Sequence, residues 1–421
     1  MHNSVEDLEL QPPATLIRVC RVWRTIALST PELWCTFNLM LDTIAPGVIV
    51  PDPNALEAYI HRWLGRAALR PLHLSFHRED ADDPHAECIF PIPRLRDLIA
   101  RCSSRLEYLE LGLSQDELGE LGLDMMEFPI LQSATFEHVY GPDPDPDHPV
   151  NTFDNAPQLS SICLVGHAES SYYSLPWLQL TTFEGPISGL ELFQVALNLT
   201  DATCAVDCLR HGPTARSPIQ HNRLQSLALV CNHENPEDIL EYLILPALRC
   251  LRISEAQDTT YPTLHSFLLR SSSPLITLSI RGDNDGFSDW QECLSSVAAT
   301  LENLELDCPS AKVQNSILYL HYAAPFTRLQ HSRISPPLPK LRNIIFSGLT
   351  STNYGLLQRF LEDRSADSQL TKLESFTVIW GYKTSFLSVR TERSFASTMR
   401  RFVEAGTHIH IGTERKNYLL L

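Results

Sequence analysis

Side chains whose type and spacing could support chemistry occur in several places, and each place lacks a required partner. His408 and His410 alternate along a predicted strand and would present two metal ligands on one face, but no third ligand is near them in the sequence. Cys204 and Cys208 are four residues apart, and no second Cys or His pair completes a zinc site. We therefore expect solvent-facing histidines and reduced, mostly buried cysteines.

Two further segments fall short of a known chemical motif. Residues 185–189 (Gly-Pro-Ile-Ser-Gly) contain the residues of a nucleophile elbow in the wrong spacing. Residues 283–286 (Asp-Asn-Asp-Gly) are similar to the start of a calcium loop but lack one acidic position and the closing Glu. The sequence thus predicts no catalytic residue, no metal, no cofactor and no enzymatic activity.

One apolar pattern, Leu-x-x-Leu-x-Leu with apolar substitutions, recurs beyond residue 65. Its first positions run from residue 69 to residue 373 over eleven steps, a mean spacing of about 28 residues that is typical of leucine-rich repeats. The twelve copies begin at Leu69, Leu106, Leu131, Leu159, Leu180, Leu199, Leu224, Leu248, Leu275, Leu301, Leu341 and Leu373.

Each copy predicts a short strand whose leucines face a core, because successive strand residues point to opposite faces. Helical patterns lie between the strands, for example at 90–102, 289–300 and 393–404, and a final strand is predicted at 407–411. Stacking these units gives an α/β leucine-rich-repeat solenoid, a curved parallel sheet with helices outside. An ordinary doubly wound α/β domain is the alternative, although twelve strands are more than such a sheet usually contains.

The strand residues between the leucines predict a binding face. Rigid repeat arrays present such faces to partners, and this row is mixed in charge with an acidic excess, which suits a protein segment with basic patches. The alternatives are a face that is merely solvated, or one that takes a small ligand. The predicted substrate-binding row is Tyr108, Glu110, Glu137, Glu184, Arg252, Arg281, Glu305 and Asp307.

A separate pattern precedes the repeats. Residues 16–28 carry apolar side chains at helical spacing, with arginines off the apolar stripe. Pro31 then suits the first position of a short helical turn, and Leu33 and Trp34 follow as large apolar anchors. The simplest interpretation is a small helical hairpin packed on the residues after it. The stripe consists of Leu16, Val19, Trp23 and Ile26.

The residue identities in this segment indicate more than its helical spacing does. Val-Cys-Arg-Val-Trp-Arg at 19–24 and Ala-Leu-Ser-Thr-Pro-Glu-Leu-Trp at 27–34 resemble the second half of an F-box, above all in the F-box-like proteins of mushroom-forming fungi. The resemblance implies a segment that docks the Skp-type adaptor of a cullin ubiquitin ligase, and a repeat array that holds a protein substrate. The implied adaptor-binding residues are Leu16, Val19, Cys20, Trp23, Pro31, Leu33 and Trp34.

The resemblance starts late in the family's pattern. An F-box usually opens with a Leu-Pro-x-Glu helix, and residues 1–15 contain no such motif. We therefore expect the N-terminal half of the F-box to be missing, through a lost start or a degenerate copy, which keeps a scaffold without ligase coupling as the alternative function. The expected organisation is a partial F-box-like segment at 1–41, a connecting helix or linker at 42–66, and an irregular repeat array with a C-terminal capping strand at 67–421.

Composition limits the class of protein further. The chain has 33 basic and 50 acidic side chains, a formal charge of −17, and lacks the basic stripe that nucleic acid or an anionic membrane surface requires. No apolar run approaches the roughly 18 residues of a spanning helix, and the first residues are polar and acidic, unlike a secretory signal. We expect a cytoplasmic or nuclear protein that binds neither nucleic acid nor membrane.

Overall fold

The structure of this chain is a computed structural model that falls into two compact units, Met1–Ser188 and Gly189–Leu421. Cys208, Ser188 and residues 283–286 lie outside the described residues. The described ranges are 13–43, 52–78, 87–88, 90–138, 149–166, 170–187, 189–206, 217–231, 236–254, 260–282, 290–307, 338–349, 354–380, 389–413 and 416–417.

The first unit is built on a parallel sheet. Its strands within the described ranges are β1 (Thr36–Met40), β2 (Asp42–Thr43), β3 (Leu72–His77), β4 (Glu87–Cys88), β5 (Leu106–Gly112), β6 (Ser133–His138), β7 (Val150–Asn151), β8 (Ser161–Gly166), β9 (Tyr173–Ser174) and β10 (Thr182–Pro186). The sheet order is β1-β3-β5-β6-β8-β10, all parallel. Short ladders join β2 to β4 antiparallel and β7 to β9 parallel.

Helices of the first unit connect these strands. They are α1 (Leu16–Val19), α2 (Arg21–Leu28), α3 (Pro53–Arg66), α4 (Ile92–Cys102) and α5 (Gln115–Leu121), with 3-10 turns at Pro31–Trp34, Ser103–Arg105, Leu123–Met125, Ser170–Tyr172 and Trp177–Gln179. Helix α3 begins where the Asp52 side chain accepts from the Asn54 N–H. Helix α5 begins with a capping box between Ser114 and Glu117 and ends at Gly122, which has a φ of +61°.

The second unit repeats this plan. Its strands are β11 (Asp201–Val206), β12 (Ile219–Gln220), β13 (Ser226–Cys231), β14 (Leu243–Ile244), β15 (Cys250–Ile253), β16 (Thr277–Arg281), β17 (Asn303–Asp307), β18 (Asn343–Leu349), β19 (Ser375–Trp380), β20 (His408–Thr413) and β21 (Lys416–Asn417). The order β11-β13-β15-β16-β17-β18-β19-β20 is parallel throughout, β21 pairs antiparallel with β20, and β12 pairs with β14.

Helices again alternate with strands in the second unit. Within the described ranges they are α6 (Glu191–Val195), α7 (Glu237–Leu240), α8 (Thr260–Ser271), α9 (Trp290–Val297), α10 (Tyr354–Ala366) and α11 (Val389–Glu404). Helix α11 is followed by Gly406, whose φ of +93° suits the left-handed position that ends a helix. No helix within the described ranges combines the length and the apolar character that crossing a membrane requires.

The apolar positions of the repeat pattern lie on short parallel strands and face the core, as predicted. The middle apolar positions pair in register from strand to strand, because Leu251, Leu278, Leu304 and Ile344 are consecutive partners, and each is buried. An α/β fold with parallel strands and intervening helices is thereby confirmed in each unit. One assignment was wrong: Leu69 is 90% exposed, because the chain leaves α3 through Ala68 at a φ of +53° and enters the core only at Leu72.

Candidate functional site

The N-terminal helices expose an unusual amount of apolar surface. Val19, Val22, Trp23 and Ile26, the apolar strip, are 64%, 66%, 49% and 51% exposed. All eight residues of α2 are described, and Ala27 is the one that is buried. The predicted hairpin does contact the residues after it, through Ala27, but Val19, Trp23 and Ile26 of the predicted stripe are exposed. A contiguous apolar patch at a protein surface usually marks an interaction site.

The apolar strip spans a break between two short helices. The predicted single helix is interrupted at Cys20, whose backbone is extended (φ −159°) and whose side chain is exposed. Arg24 bridges the break, because its Nε donates to the Ile17 carbonyl at 2.8 Å. Leu16 is half-buried. The hydrogen bond between Arg24 and Ile17 joins α1 to α2 and keeps Val19 close to the exposed residues of α2.

Trp34 anchors this segment to the first unit. Its ring is fully buried and packs edge-on against Trp63 of α3 at a centroid distance of 5.0 Å. Its Nε1 donates to the Ala27 carbonyl at 2.7 Å, which ties α2 to the core. The guanidinium of Arg66, the last residue of α3, lies 4.3 Å from the centroid of the Trp34 ring. Trp34 is thus a core residue, and Trp23 is the tryptophan that a partner can reach.

The 3-10 turn between α2 and β1 adds to the exposed surface. Pro31 is at its first position, as predicted, and is half-buried. Leu33 is 38% exposed beside it. An exposed ion pair between Glu32 and Arg70, 2.6 Å apart, joins this turn to the loop before β3. The implied adaptor-binding residues therefore divide into surface residues and one buried anchor.

The sheet of the first unit has a polar face opposite its buried leucines. Glu110 and Glu137 meet at His77, whose Nδ1 is 3.1 Å from Glu137 Oε2 and whose Nε2 is 3.8 Å from Glu110 Oε1. Ser75 donates to Glu110 at 2.7 Å. The Tyr108 hydroxyl is 3.1 Å from the Thr135 hydroxyl. The structure thus brings together three of the predicted binding residues.

The thiols that line or lie beneath these sheets are poor nucleophiles. Burial raises the pKa of Cys163 to about 11, with added repulsion from Glu184 on the adjacent strand β10 and from Glu110 on β5, two strands away. In the second unit, complete burial raises the pKa of Cys204 to about 12. Because the thiolate is the reactive form, both side chains are chemically inert near neutral pH. The Glu184 carboxylate of β10 is exposed and adds a negative charge to the polar face of the first unit.

The sheet of the second unit has its own polar face. Arg281 Nε is 3.3 Å from Asp307 Oδ2, so two predicted binding residues of adjacent strands form an ion pair. Arg252 is exposed and Glu305 is half-exposed on the same face. At the start of the strands, side chains form a hydrogen-bonded ladder in which Asn303 donates to Thr277, Asn343 to Asn303, and Ser375 to Asn343, at 3.0, 2.7 and 2.7 Å.

The histidines of the first unit's polar face were not predicted from the sequence. The alternation Leu-His-Leu-Ser-Phe-His in β3 places His73, Ser75 and His77 on the polar side, and this signal was available from the sequence. The pairing with carboxylates was not, because it depends on the register between strands: His73 Nε2, for example, lies 3.2 Å from Glu107 Oε2. His73, His77 and Glu107 extend the predicted face.

The remaining chemical candidates do not assemble into a site. His408 is exposed on β20, and the Nε2 of His410 is 2.9 Å from the Thr413 carbonyl. Among the described residues, no group of three or more His, Cys, Asp or Glu side chains is placed to hold a metal ion. No protein-family model matches the chain, and no curated protein matches it.

Proposed function

We propose that this chain is a non-catalytic substrate-recognition subunit of a Skp–cullin–F-box ubiquitin ligase. In this proposal the apolar strip docks the Skp-type adaptor, and the repeat strands hold a protein substrate. The observation that carries it is the exposure of Val19, Val22, Trp23 and Ile26 on the segment whose letters resemble an F-box.

The geometry of the strip favours a protein partner. Within α2, Val22 and Trp23 lie four and three residues before Ile26, which is the spacing with which one face of a helix enters a groove of another protein. Its exposed Trp23 is of the residue type that most often dominates binding energy at interfaces. The arginines beside the strip, Arg18, Arg21 and Arg24, would form its charged rim.

The anchoring of the strip supports a positioning role. A ligase subunit has to hold its substrate at a fixed distance from the adaptor, so its docking segment must be rigidly joined to the binding domain. The Trp34 contacts with Ala27, Trp63 and Arg66 provide such a joint within the first unit. Exposed docking residues next to a buried anchor are what that role requires.

The substrate side of the proposal is a leucine-rich-repeat solenoid. The parallel strands in register and the helices between them support this architecture. On the first unit, the strand face carries the carboxylates of Glu107, Glu110, Glu137 and Glu184, which favours a substrate segment rich in Lys and Arg.

The test measures the affinity of the full chain for the Skp-type adaptor of its host by calorimetry. Val22→Asp places a charge in the middle of the strip without touching the core, since Val22 is 66% exposed. We expect this variant to bind the adaptor at least about tenfold more weakly, because an unpaired carboxylate would be buried in an apolar interface.

The matched control is Leu269→Asp, which changes an equally accessible apolar residue on α8 of the second unit, 57% exposed. It should bind the adaptor with unchanged affinity. If the folded wild-type chain binds no adaptor, the ligase function is refuted; if Val22→Asp binds as tightly as wild type, the apolar strip is not the docking site. In the first case the chain is better described as an interaction scaffold without ligase coupling.

A further inference from the structure

A cavity of about 390 Å³ lies in the second unit, away from the polar strand face. It is formed by the end of α10, the loop that leads to β19, and the residues that close α11. A volume of this size accommodates a small organic molecule. The lining residues that matter here are Leu361, Arg364, Asp367, Lys372, Leu373 and Phe402.

Arg364 is an unusual residue to find in this lining, because it is 3% exposed. Its Nη1 donates to the Leu338 carbonyl at 3.1 Å, and its Nη2 donates to the Leu341 carbonyl at 2.6 Å. Its Nε is enclosed and has no hydrogen-bond acceptor among the described residues. Burial lowers the pKa of the guanidinium to about 10, against the opposing effect of Asp367. A buried cation of this kind is stabilised by any anion placed beside it.

A second arginine shows which part of this arrangement is structural. Arg270 near the end of α8 also binds main-chain carbonyls, those of Leu240 in α7 and Leu243 in β14, with distances of 2.7 to 3.2 Å. Its Nε takes part in these bonds, and the side chain is only half-buried. Binding carbonyls therefore accounts for the Nη groups of Arg364, but not for its deeper burial or its unpaired Nε.

The charged side chains in the cavity lining determine which ligand charge the cavity would favour. Lys372 is exposed at the cavity and donates to the Ala405 carbonyl. Among the described residues of the lining, two carry a positive charge, Arg364 and Lys372, and one carries a negative charge, Asp367, so the lining has one excess positive charge. The rest of the wall includes Leu361, Leu373 and Phe402, so apolar atoms dominate the space beside the charges.

We propose that this cavity binds a small monocarboxylate with an apolar tail. The carboxylate would accept a hydrogen bond from Lys372 and lie near the positive charge of Arg364 without contacting its enclosed Nε, and the tail would contact Phe402 and Leu361. One negative charge neutralises the excess positive charge of the lining, whereas a dianion such as phosphate would exceed it and would leave the apolar wall uncovered. The proposal does not rest on the ligase function proposed above, since it concerns a different part of the chain.

The test is calorimetry of the full chain with octanoate, with the neutral octanamide and with inorganic phosphate at constant ionic strength. Octanoate should bind at least about tenfold more tightly than either of the others, because only octanoate supplies both the charge and the tail. Equal affinities for octanoate and octanamide would overturn the proposal, as would phosphate binding as tight as that of octanoate, or no octanoate binding at its solubility limit.

A pair of exposed lysines provides the variants. Lys372→Gln removes a charge at the cavity, and Lys340→Gln removes one from an exposed residue that does not line it. We expect octanoate affinity to fall about tenfold in the first variant and to stay unchanged in the second. Equal effects of the two substitutions would overturn the assignment. The exposed lysines are used because replacing the buried Arg364 could unfold the chain.

Discussion

At the scale of single residues, the two tryptophans of the N-terminal segment have opposite roles. The resemblance to an F-box implied that both dock an adaptor, whereas the interpretation as a helical hairpin predicted that both pack on the residues after it. The structure buries Trp34 completely and leaves Trp23 half exposed. The spacing could not distinguish the two tryptophans. Trp34 is buried by Trp63 and Arg66, which lie about thirty residues further along the chain.

This difference predicts unequal effects of the same substitution. Trp34→Ala should lower the free energy of unfolding by about 3–5 kcal/mol, since it removes a buried ring and its hydrogen bond to Ala27. Trp23→Ala should change it by less than about 1 kcal/mol, because the ring is largely in solvent. Urea denaturation of both variants measures this. Comparable destabilisation by the two substitutions would contradict the assignment of Trp34 as the anchor.

The buried thiol of Cys204 predicts a dependence of stability on alkaline pH. In the unfolded chain this thiol ionises near its ordinary pKa of 9.0, whereas in the folded chain it keeps its proton up to about pH 12. Its contribution to folding is therefore complete below pH 9 and is lost as the pH rises toward 12. At about pH 10 the loss amounts to roughly 1 kcal/mol.

Replacing the thiol tests this directly. Cys204→Ala should reduce the drop in unfolding free energy between about pH 8 and about pH 10, although it lowers stability at both values by leaving a small cavity. Cys20→Ala, which removes an exposed thiol, is the control and should keep the wild-type drop. An unchanged drop in Cys204→Ala would show that this thiol does not resist ionisation in the fold.

At the scale of elements, the repeat pattern predicted most strands and several helices. Residues 90–102 form α4 (Ile92–Cys102), and the predicted terminal strand is β20 (His408–Thr413). Helices α5 and α8 were not predicted. Helix α5 is seven residues long and contains a glycine, and α8 contains Pro262 near its start, so each weakens the helical pattern.

Two glycines in elements of the first unit should respond oppositely to alanine. Gly185 in β10 has a φ of +152°, and a Cβ there would lie 2.7 Å from Leu164 Cβ and 2.9 Å from its carbonyl oxygen. Gly185→Ala should therefore destabilise the fold by about 1–3 kcal/mol. Gly119 lies in α5 with open space around the Cβ position, so Gly119→Ala should stabilise it by about 0.5–1 kcal/mol.

Thermal unfolding of the two variants provides the comparison. The melting temperature should fall for Gly185→Ala and rise for Gly119→Ala. A Gly185→Ala protein as stable as wild type would mean that β10 can move away from β8, against the close approach seen at Leu164.

At the scale of the whole molecule, the sequence predicted which side chains leave the core but not how they pair. The apolar positions fix the face of each strand, so Glu110, Glu137, Arg281 and Asp307 could be assigned to the polar side. Their partners depend on strand register and on residues far away in the sequence, as for the contact between His77 and Glu137 over 60 positions. The helical spacing of the apolar strip implied burial, and only the resemblance to an F-box indicated a surface that docks a partner.

The measurement that tests the central claim most directly is amide hydrogen exchange of the full chain with and without the Skp-type adaptor. If the apolar strip is the docking site, amides of α2 (Arg21–Leu28) should exchange more slowly in the complex, because the partner would cover a short surface helix with one buried residue. The strands of the second unit should exchange as before. An adaptor complex in which α2 exchanges at its free rate would contradict the account.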